Sequence, residues 1–272
     1  MTYQTVNPYD GQLLKTFDEL TDNQLETALS TADTCFKSWR HRTFAERAAV
    51  AAKAAAIMRS HVDEYARLVT LEMGKRIEEA RSEVALSADI IDYYAKNSER
   101  FLAPQDLKPT SGVAEVESVP FGVLFGVQPW NFPYYQLARF AAPNLMAGNV
   151  IMVKHAGSVP QCALAFEKLW LEAGAPAGAY TNLFISYDHA RSHCRCCCRW
   201  RSSTSSSSTS PSARYRWSST SGCCALRCPA WCSGTANCAS WQVAHGVGEM
   251  PPQVRSERRQ GGSMTHLLAG KP

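Results

Sequence analysis

Residues 120–154, PFGVLFGVQPWNFPYYQLARFAAPNLMAGNVIMVK, decide the fold of this chain. GVLFGV is an almost continuous apolar run, which predicts a buried strand, and NVIMVK predicts a second one. Between them, residues 133–146 have the pattern of a helix that ends just before Gly148. Strand, helix and strand in this order predict two parallel strands joined by a crossover helix.

The same pattern continues downstream. Ser158 is predicted to cap the helix VPQCALAFEKLWLEA, with Pro160 in its first turn and Gly174 just past its end. YTNLFIS, residues 180–186, predicts a third strand. The chain from about residue 121 to 186 therefore predicts an α/β fold with a partial, Rossmann-like parallel sheet.

Helices are predicted upstream, over residues 21–101. Thr21 and Thr43 each begin a capping-box pattern, in which the hydroxyl accepts from a free backbone N–H at the start of a helix. The apolar stripe of the first helix is Leu25, Ala28, Ala32, Cys35, Phe36 and Trp39. After Pro104, GVAEVESVP alternates in polarity, which predicts a partly exposed strand.

The composition changes abruptly after Asp188. Residues 189–272 carry ten Arg, one Lys and two Glu, a net charge of +9, whereas the preceding residues carry −5. Nine of the 11 cysteines and 16 serines also lie in this tail, which has no sustained apolar period. We therefore predict two parts: an ordered α/β body, 1–188, and an irregular, low-complexity tail, 189–272.

The N-terminal sequence MTYQTVNPYDGQLL has neither the basic nor the apolar region of a signal peptide. No run of 18 apolar residues is present, which predicts a soluble cytoplasmic protein without membrane contact. Thiols in that compartment are normally reduced. Cys35 and Cys162, the two cysteines of the body, are expected to be ordinary buried thiols.

QPWNFP, Gln128 to Pro133, lies where a predicted strand gives way to a helix. Ligands of open α/β sheets bind at this carboxyl edge. The side-chain amide of Asn131 is a donor of the type that stabilises an oxyanion. Spacing alone leaves an alternative open, in which Asn131 merely caps the following helix.

Several motifs, in order, resemble those of the NAD(P)-dependent aldehyde dehydrogenase superfamily, in particular its succinate-semialdehyde dehydrogenases. The resemblance covers about residues 5–188 and is carried by VNPYDG, LEMGKRIEEARSEV, PFGV, PWNFP, APNLMAGN and VKHA. It implies a Rossmann-like cofactor domain, a catalytic domain and a small oligomerisation extension, for which 110–120 is the candidate strand. A homo-oligomer is therefore a possible assembly.

The resemblance also implies a reaction. In this family an enzyme cysteine attacks a small-molecule aldehyde, the thiohemiacetal passes hydride to NAD(P)⁺, and a glutamate activates the water that releases the acid. Asn131 corresponds to the oxyanion-hole asparagine. Lys154 corresponds to the lysine that contacts the adenosine ribose; the alternative is a strand-end lysine that reaches solvent. The residues matched to the strand end beside the nicotinamide half are Val127, Gln128, Pro129 and Trp130.

Gly157 departs from the pattern of many NAD-linked relatives, which have a glutamate three residues after the lysine. Without that carboxylate, nothing at this position repels a 2′-phosphate, and Lys154 can pair with it. The expected cofactor of the parental enzyme is NADP or NAD, with this position favouring NADP, and weak or absent binding is expected in this chain. His155, beside the lysine, is expected to be structural.

The family's remaining motifs are not found in the tail. It contains no ELGG, which carries the glutamate base, no GQ-x-C, which carries the nucleophile, and no TGS-like turn for the pyrophosphate. Its glutamates, Glu249 and Glu257, have other surroundings. A shifted reading frame in a GC-rich gene yields Arg, Ser, Cys, Pro and Trp. We therefore predict a frameshifted tail and a catalytically incompetent chain.

Three alternative functions remain for the chain and its tail. The chain could be a non-catalytic fragment that binds related subunits. The tail could bind a metal through its cysteines, although the absence of paired CxxC spacing predicts no metal site. Its net charge of +9 and its aromatic residues could also attract RNA, but without sequence specificity, so no specific nucleic-acid partner is predicted. The candidate tail residues are Cys194, Cys196, Cys197, Cys198, Cys223, Cys224, Cys228, Cys232, Trp200, Tyr215 and Trp217.

Overall fold

A computed structural model describes residues 3–108 and 114–190 of the chain. The predicted α/β fold is confirmed. Within these residues the strands are β1 (Tyr3–Val6), β2 (Leu13–Phe17), β3 (Gln105–Leu107), β4 (Ala114–Val116), β5 (Val123–Val127), β6 (Val150–Lys154) and β7 (Tyr180–Asn182). The helices are α1 (Asp22–Trp39), α2 (Phe44–Ser60), α3 (Val62–Met73), α4 (Ile77–Phe101), α5 (Pro133–Met146) and α6 (Pro160–Ala173).

The three strands β5, β6 and β7 form a parallel sheet in that order. Helices α5 and α6 make the two crossovers, and all five residues of the central strand β6 are buried. Helix α1 packs against the sheet, while α2, α3 and α4 pack against the two crossover helices. The carboxyl ends of β5 and β6 therefore lie side by side at one edge of a well-covered sheet.

Both predicted capping boxes are confirmed. The Thr21 N–H donates to Gln24 Oε1 at 2.9 Å, and the Gln24 N–H donates back to Thr21 Oγ1 at 3.3 Å. Thr43 and Glu46 make the same reciprocal pair at the start of α2. The predicted stripe of α1 faces the core, with Leu25, Ala32, Cys35 and Trp39 buried.

The predicted cap of α6 is wrong. Ser158 is exposed, and the residue at the cap position is Val159, whose side chain makes no capping hydrogen bond. The first free N–H groups of α6 instead donate to Glu72, a buried carboxylate from α3. A carboxylate supplied by a distant helix has replaced the local hydroxyl that the sequence pattern suggested.

The third strand is shorter than predicted, ending at Asn182 instead of Ser186. The carbonyl of Phe184 accepts from the Leu20 N–H at 2.8 Å, and the carbonyl of Ile185 accepts from the Tyr3 hydroxyl at 2.8 Å. Because these carbonyls bond to the N-terminal segment, residues 184–185 pair with it and not with a neighbouring strand.

The candidate oligomerisation segment 110–120 is only partly described. Its described part contains the short strand β4, which pairs antiparallel with β3 in an exposed hairpin. Its role in assembly remains a prediction. None of the helices in the described ranges is long and apolar enough to cross a membrane.

Two predictions concern the cysteines. Cys35 and Cys162 are free and buried, as expected. The predicted irregularity of the tail, its candidate metal-binding cysteines and its aromatic residues lie outside the described residues. Within the residues that are described, no group of three His, Cys, Asp or Glu side chains could hold a metal ion.

Candidate functional site

Two parallel strands bring the predicted site residues to one edge of the sheet. Val127 at the end of β5 is the register partner of Lys154 at the end of β6. The ladder continues one step further, because the Gln128 N–H donates to the Lys154 carbonyl at 3.0 Å. Val127, Gln128 and Lys154 therefore lie side by side at one edge of the sheet.

The turn after β5 projects from this edge, with Pro129, Trp130 and Asn131 exposed. Asn131 does not cap α5: the cap position is Phe132, and the N–H groups of Tyr134 and Tyr135 donate to Glu83 at 3.0 and 3.3 Å. The helix-cap alternative is therefore wrong. An exposed Asn131 is placed where it could donate to a ligand, and its oxyanion role remains a prediction.

Glu83 and Lys75 contact the end of this turn from the protein interior and fix its position. Their side chains form a buried ion pair, with 1% and 8% of the side-chain surface exposed. The Lys75 ammonium also lies 3.7 Å from the centre of the Phe132 ring. The Glu83 carboxylate thus accepts from the first N–H groups of α5 and pairs with the Lys75 ammonium. That ammonium in turn contacts the ring of Phe132, the residue after Asn131.

Glu72 has the corresponding role at α6. It accepts from the N–H groups of Gln161 and Cys162, at 2.8 and 2.9 Å, and from the hydroxyl of Thr5 in β1. Burial raises the pKa of Glu72, while these three hydrogen bonds act in the opposite direction. The carboxylate therefore joins the N-terminal hairpin, α3 and α6.

These two glutamates limit how a dinucleotide could bind. In Rossmann-like folds the pyrophosphate lies at a helix N-terminus, where free N–H groups and the helix dipole attract it. At α5 and α6 those N–H groups already donate to Glu83 and Glu72. A pyrophosphate at either helix would meet a buried carboxylate, so neither terminus fits that part of the cofactor.

Lys154 does fit an anionic group. The side chain is buried, with 2% of the residue exposed, so the solvent-reaching alternative is wrong. Its ammonium lies 4.0 Å from the centre of the Tyr187 ring and 5.2 Å from that of Tyr3, and among the described residues it is in no ion pair. Burial lowers the pKa of Lys154, and the negative charge of Glu19 partly opposes this.

Gly157 follows in the turn after β6. Its carbonyl accepts from the Gln4 N–H at 3.1 Å, so strand β1 runs beside this turn. Its φ is not positive, unlike that of Gly174, so the backbone would accept a side chain here. The residues present therefore fit the 2′-phosphate end of NADP, through Lys154, better than they fit its pyrophosphate.

His155 is packed as a neutral group. The ring is fully buried, and its Nδ1 accepts from the Ala156 N–H at 2.9 Å, which favours the neutral tautomer with its proton on Nε2; the Gln128 carbonyl lies 3.3 Å from the same Nδ1. Burial lowers the pKa of His155 to about 4, and the Lys154 charge acts in the same direction. A neutral, buried imidazole with this local bond has the geometry of a structural residue.

The buried imidazole predicts acid sensitivity. Unfolded His155 binds a proton below pH about 6.5, whereas the folded ring does not until pH about 4. This contribution to stability is present above pH 6.5 and is lost, by about 3 kcal/mol, as pH falls to about 4. We expect His155→Gln to flatten the stability profile in that window, as measured by urea unfolding across pH.

The raised pKa values of Glu72 and Glu167 change stability in the opposite sense over the acid range, but they are common to both proteins and cancel in the comparison. His61→Gln, at an exposed histidine, is the control. Parallel profiles for the His155 variant and the unaltered chain would contradict the prediction.

Four residues of this region were not predicted from the sequence: Tyr3, Glu72, Glu83 and Tyr187. Both glutamates lie at the ends of the LEMGKRIEEARSEV segment, and they face the core while their charged neighbours Glu78 and Glu79 are exposed. Their position on the buried stripe of a helix was the available signal.

Comparison with known proteins agrees with this architecture. Residues 1–190 match the model of the aldehyde dehydrogenase family. The succinate-semialdehyde dehydrogenase [NADP(+)] of Deinococcus radiodurans is 47% identical over 183 residues, which cover 67% of this chain and 38% of that protein. A probable succinate-semialdehyde dehydrogenase [NADP(+)] of a Synechocystis strain is 43% identical over 185 residues, covering 68% and 41%.

Solved structures agree as well. Succinic semialdehyde dehydrogenase from Streptococcus pyogenes, in complex with NADP⁺, is 46% identical and superimposes with a TM-score of 0.69, covering 71% of this chain and 42% of that one. The chain thus spans about two fifths of the length of the relatives it matches. With a family match over most of its length and the α/β architecture described above, the chain belongs to the aldehyde dehydrogenase family.

Proposed function

We propose that this chain derives from an NADP-linked succinate-semialdehyde dehydrogenase, and that residues 1–188 are part of its cofactor-binding domain. The parental reaction converts an aldehyde, NADP⁺ and water to a carboxylic acid, NADPH and a proton. Two observations support the cofactor and substrate class: relatives at 41–47% identity have this activity in their names, and position 157, three residues after Lys154, is a glycine and supplies no carboxylate that would repel a 2′-phosphate.

The residues at the carboxyl ends of β5 and β6 have separate roles in this proposal. NADP⁺, when bound, accepts the hydride. Val127 to Trp130 form the wall beside the nicotinamide, Asn131 donates its amide to the developing oxyanion, and Lys154 binds the adenosine end. The buried pair of Glu83 and Lys75 positions the turn that carries Asn131.

We further propose that the chain as it stands does not complete this reaction. Residues 189–272 contain neither of the family motifs that carry the nucleophile and the base, and their composition is that of a shifted reading frame. The domain boundary at residue 188 and the frameshift are tested together by sequencing the encoding DNA across codons 186–192. The frameshift proposal predicts that another frame downstream of codon 188 encodes the missing family motifs, and their absence from both alternative frames would overturn it.

Association with related subunits is the second candidate function. The β3–β4 hairpin carries two exposed apolar residues, Leu107 and Val116, which favours an interface on this element. Co-purification with an intact relative, lost on replacing both residues with lysine, would support a non-catalytic fragment in the cytoplasm. An unchanged interaction in that variant would exclude the hairpin.

Cofactor preference gives a direct test of the site. We expect only weak NADP binding, with a Kd of about 1 mM, corresponding to about 4 kcal/mol, because the N-termini of α5 and α6 at this edge are already occupied by Glu83 and Glu72 and offer the pyrophosphate no free N–H groups. Gly157→Glu should weaken NADP binding and spare NAD, since the new carboxylate repels the 2′-phosphate. Calorimetric titration of both cofactors against both proteins measures this.

Ala177→Glu is the matched control for this test. Ala177 is exposed and precedes β7, so it lies at the opposite, amino edge of the sheet. The Ala177→Glu substitution therefore adds the same negative charge as Gly157→Glu but places it far from Lys154. Micromolar NAD binding by the unaltered chain, or an unchanged preference in Gly157→Glu, would contradict the assignment of the site or its polarity.

A further inference from the structure

Two tyrosines from opposite ends of the described chain meet at Lys154; we call them the tyrosine collar. Tyr187 follows β7 and lies 4.0 Å from the Lys154 ammonium, measured to its ring centre, whereas Tyr3 of β1 lies at 5.2 Å. A ring face carries partial negative charge and attracts a cation, most strongly when the cation is desolvated. The collar is therefore the immediate environment of the buried ammonium.

The two rings differ in how they are held. Tyr3 is 2% exposed, its hydroxyl donates to the Ile185 carbonyl, and its ring packs 4.6 Å from that of Phe184. Tyr187 is 44% exposed. Tyr3 is thus a fixed wall, and Tyr187 is the accessible side of the collar, where a ligand that approaches Lys154 would also meet a ring.

The other charged and titratable groups near Lys154 do not replace the collar. Glu19 acts on the lysine through its negative charge, and His155 is neutral near pH 7. Burial disfavours the charged form of Lys154. The ring faces stabilise that form while leaving ammonium N–H groups to donate to an anion.

We propose that Tyr187 is a nucleotide-binding residue, which together with Tyr3 keeps the Lys154 ammonium charged and directed toward a phosphate monoester on the adenosine ribose. This inference rests on the proposed function, in which Lys154 binds the adenosine end of NADP. It adds a requirement for an aromatic ring at position 187. The ligand class is an adenosine 2′-phosphate.

The test uses adenosine 2′-monophosphate as the probe, titrated into the full chain by calorimetry or NMR. Tyr187→Leu should weaken its binding about tenfold, which corresponds to about 1.4 kcal/mol. Tyr187→Phe should stay within about twofold, because the ring face is kept. Tyr9→Leu, at a tyrosine that is 94% exposed, is the matched control and should bind as the unaltered chain does.

The protonation of Lys154, followed by NMR of its side chain, gives a second readout that needs no ligand. Tyr187→Leu should lower the pKa of Lys154 relative to the unaltered chain, and Tyr187→Phe should not. Binding of the probe should then be lost at a lower pH in Tyr187→Leu. If the ring of Tyr187 had a merely structural role, Tyr187→Leu would change neither the titration of Lys154 nor the pH dependence of probe binding.

Lys154→Met separates this inference from the proposed function. Loss of probe binding in Lys154→Met, with full binding and an unchanged lysine titration in Tyr187→Leu, would overturn the collar and leave the lysine assignment standing. Unchanged binding in Lys154→Met, or no binding by the unaltered chain up to about 20 mM, would overturn both. Equal losses of probe binding in Tyr187→Phe and Tyr187→Leu would assign the effect to the hydroxyl of Tyr187 and would overturn the proposed role of its ring.

Discussion

The purified chain should show no detectable NADP⁺-dependent oxidation of succinate semialdehyde. Covalent aldehyde oxidation needs an activated thiolate close to the cofactor edge. The two described cysteines do not qualify: both are buried, and burial raises the pKa of Cys35 and raises that of Cys162 well above its usual value. Formation of NADPH, followed by absorbance with an intact relative as the positive control, measures the difference.

This expectation depends on the tail. If turnover were found and a single Cys→Ser change in residues 189–272 abolished it, the tail would supply a nucleophile and the frameshift proposal would be wrong. Cys162→Ser is the control within the body, since its thiol is inaccessible. Turnover abolished by Cys162→Ser alone would instead contradict the assignment of that cysteine as structural.

Removing the carboxylate of Glu83 should cause the largest loss of stability in the body. Glu83→Ala leaves the Lys75 charge buried without its partner and leaves the N–H groups of Tyr134 and Tyr135 unsatisfied. Breaking a buried ion pair by removing one partner costs about 3–5 kcal/mol. Urea unfolding should report this loss of free energy, and thermal unfolding should show a decrease in Tm of about 6–20 °C.

Glu79→Ala is the control in the same helix. Its ion pair with Arg76 is exposed and spans 3.8 Å, so its removal should change stability by less than about 0.5 kcal/mol. Adding Lys75→Met to the Glu83 variant should restore part of the loss, because the unpaired charge is gone. Equal effects of Glu79→Ala and Glu83→Ala would show that the buried pair contributes no more than a surface one.

The local patterns of the sequence predicted most of the fold. The capping boxes at Thr21 and Thr43 depend on residues only three positions apart, so a single chain segment contains all the information. The cap of α6 could not be found in this way. Glu72 is 89 positions from Gln161, and the choice of Glu72 over Ser158 depends on how α3 packs against α6.

The contacts of the candidate site also fall into two groups, those that local sequence patterns account for and those that depend on tertiary packing. Val127 and Lys154 end two strands that were predicted to be parallel, and adjacent parallel strands end at the same edge, so the local pattern accounts for their proximity. The tyrosine collar was not, since Tyr3 and Tyr187 are separated by nearly the whole body and converge only after the N-terminal hairpin has docked. Short-range periodicity contains no information about such a contact.

The docking of that hairpin has a consequence for biosynthesis. The Tyr3 hydroxyl bonds to the carbonyl of Ile185, a partner 182 positions later, and the Gln4 N–H bonds to Gly157. At 5–20 residues per second, a ribosome needs about 10–40 s to make that partner. Throughout this interval β1 lacks these late hydrogen-bond partners, and the edge of β1 that later bonds to Gly157 stays unpaired.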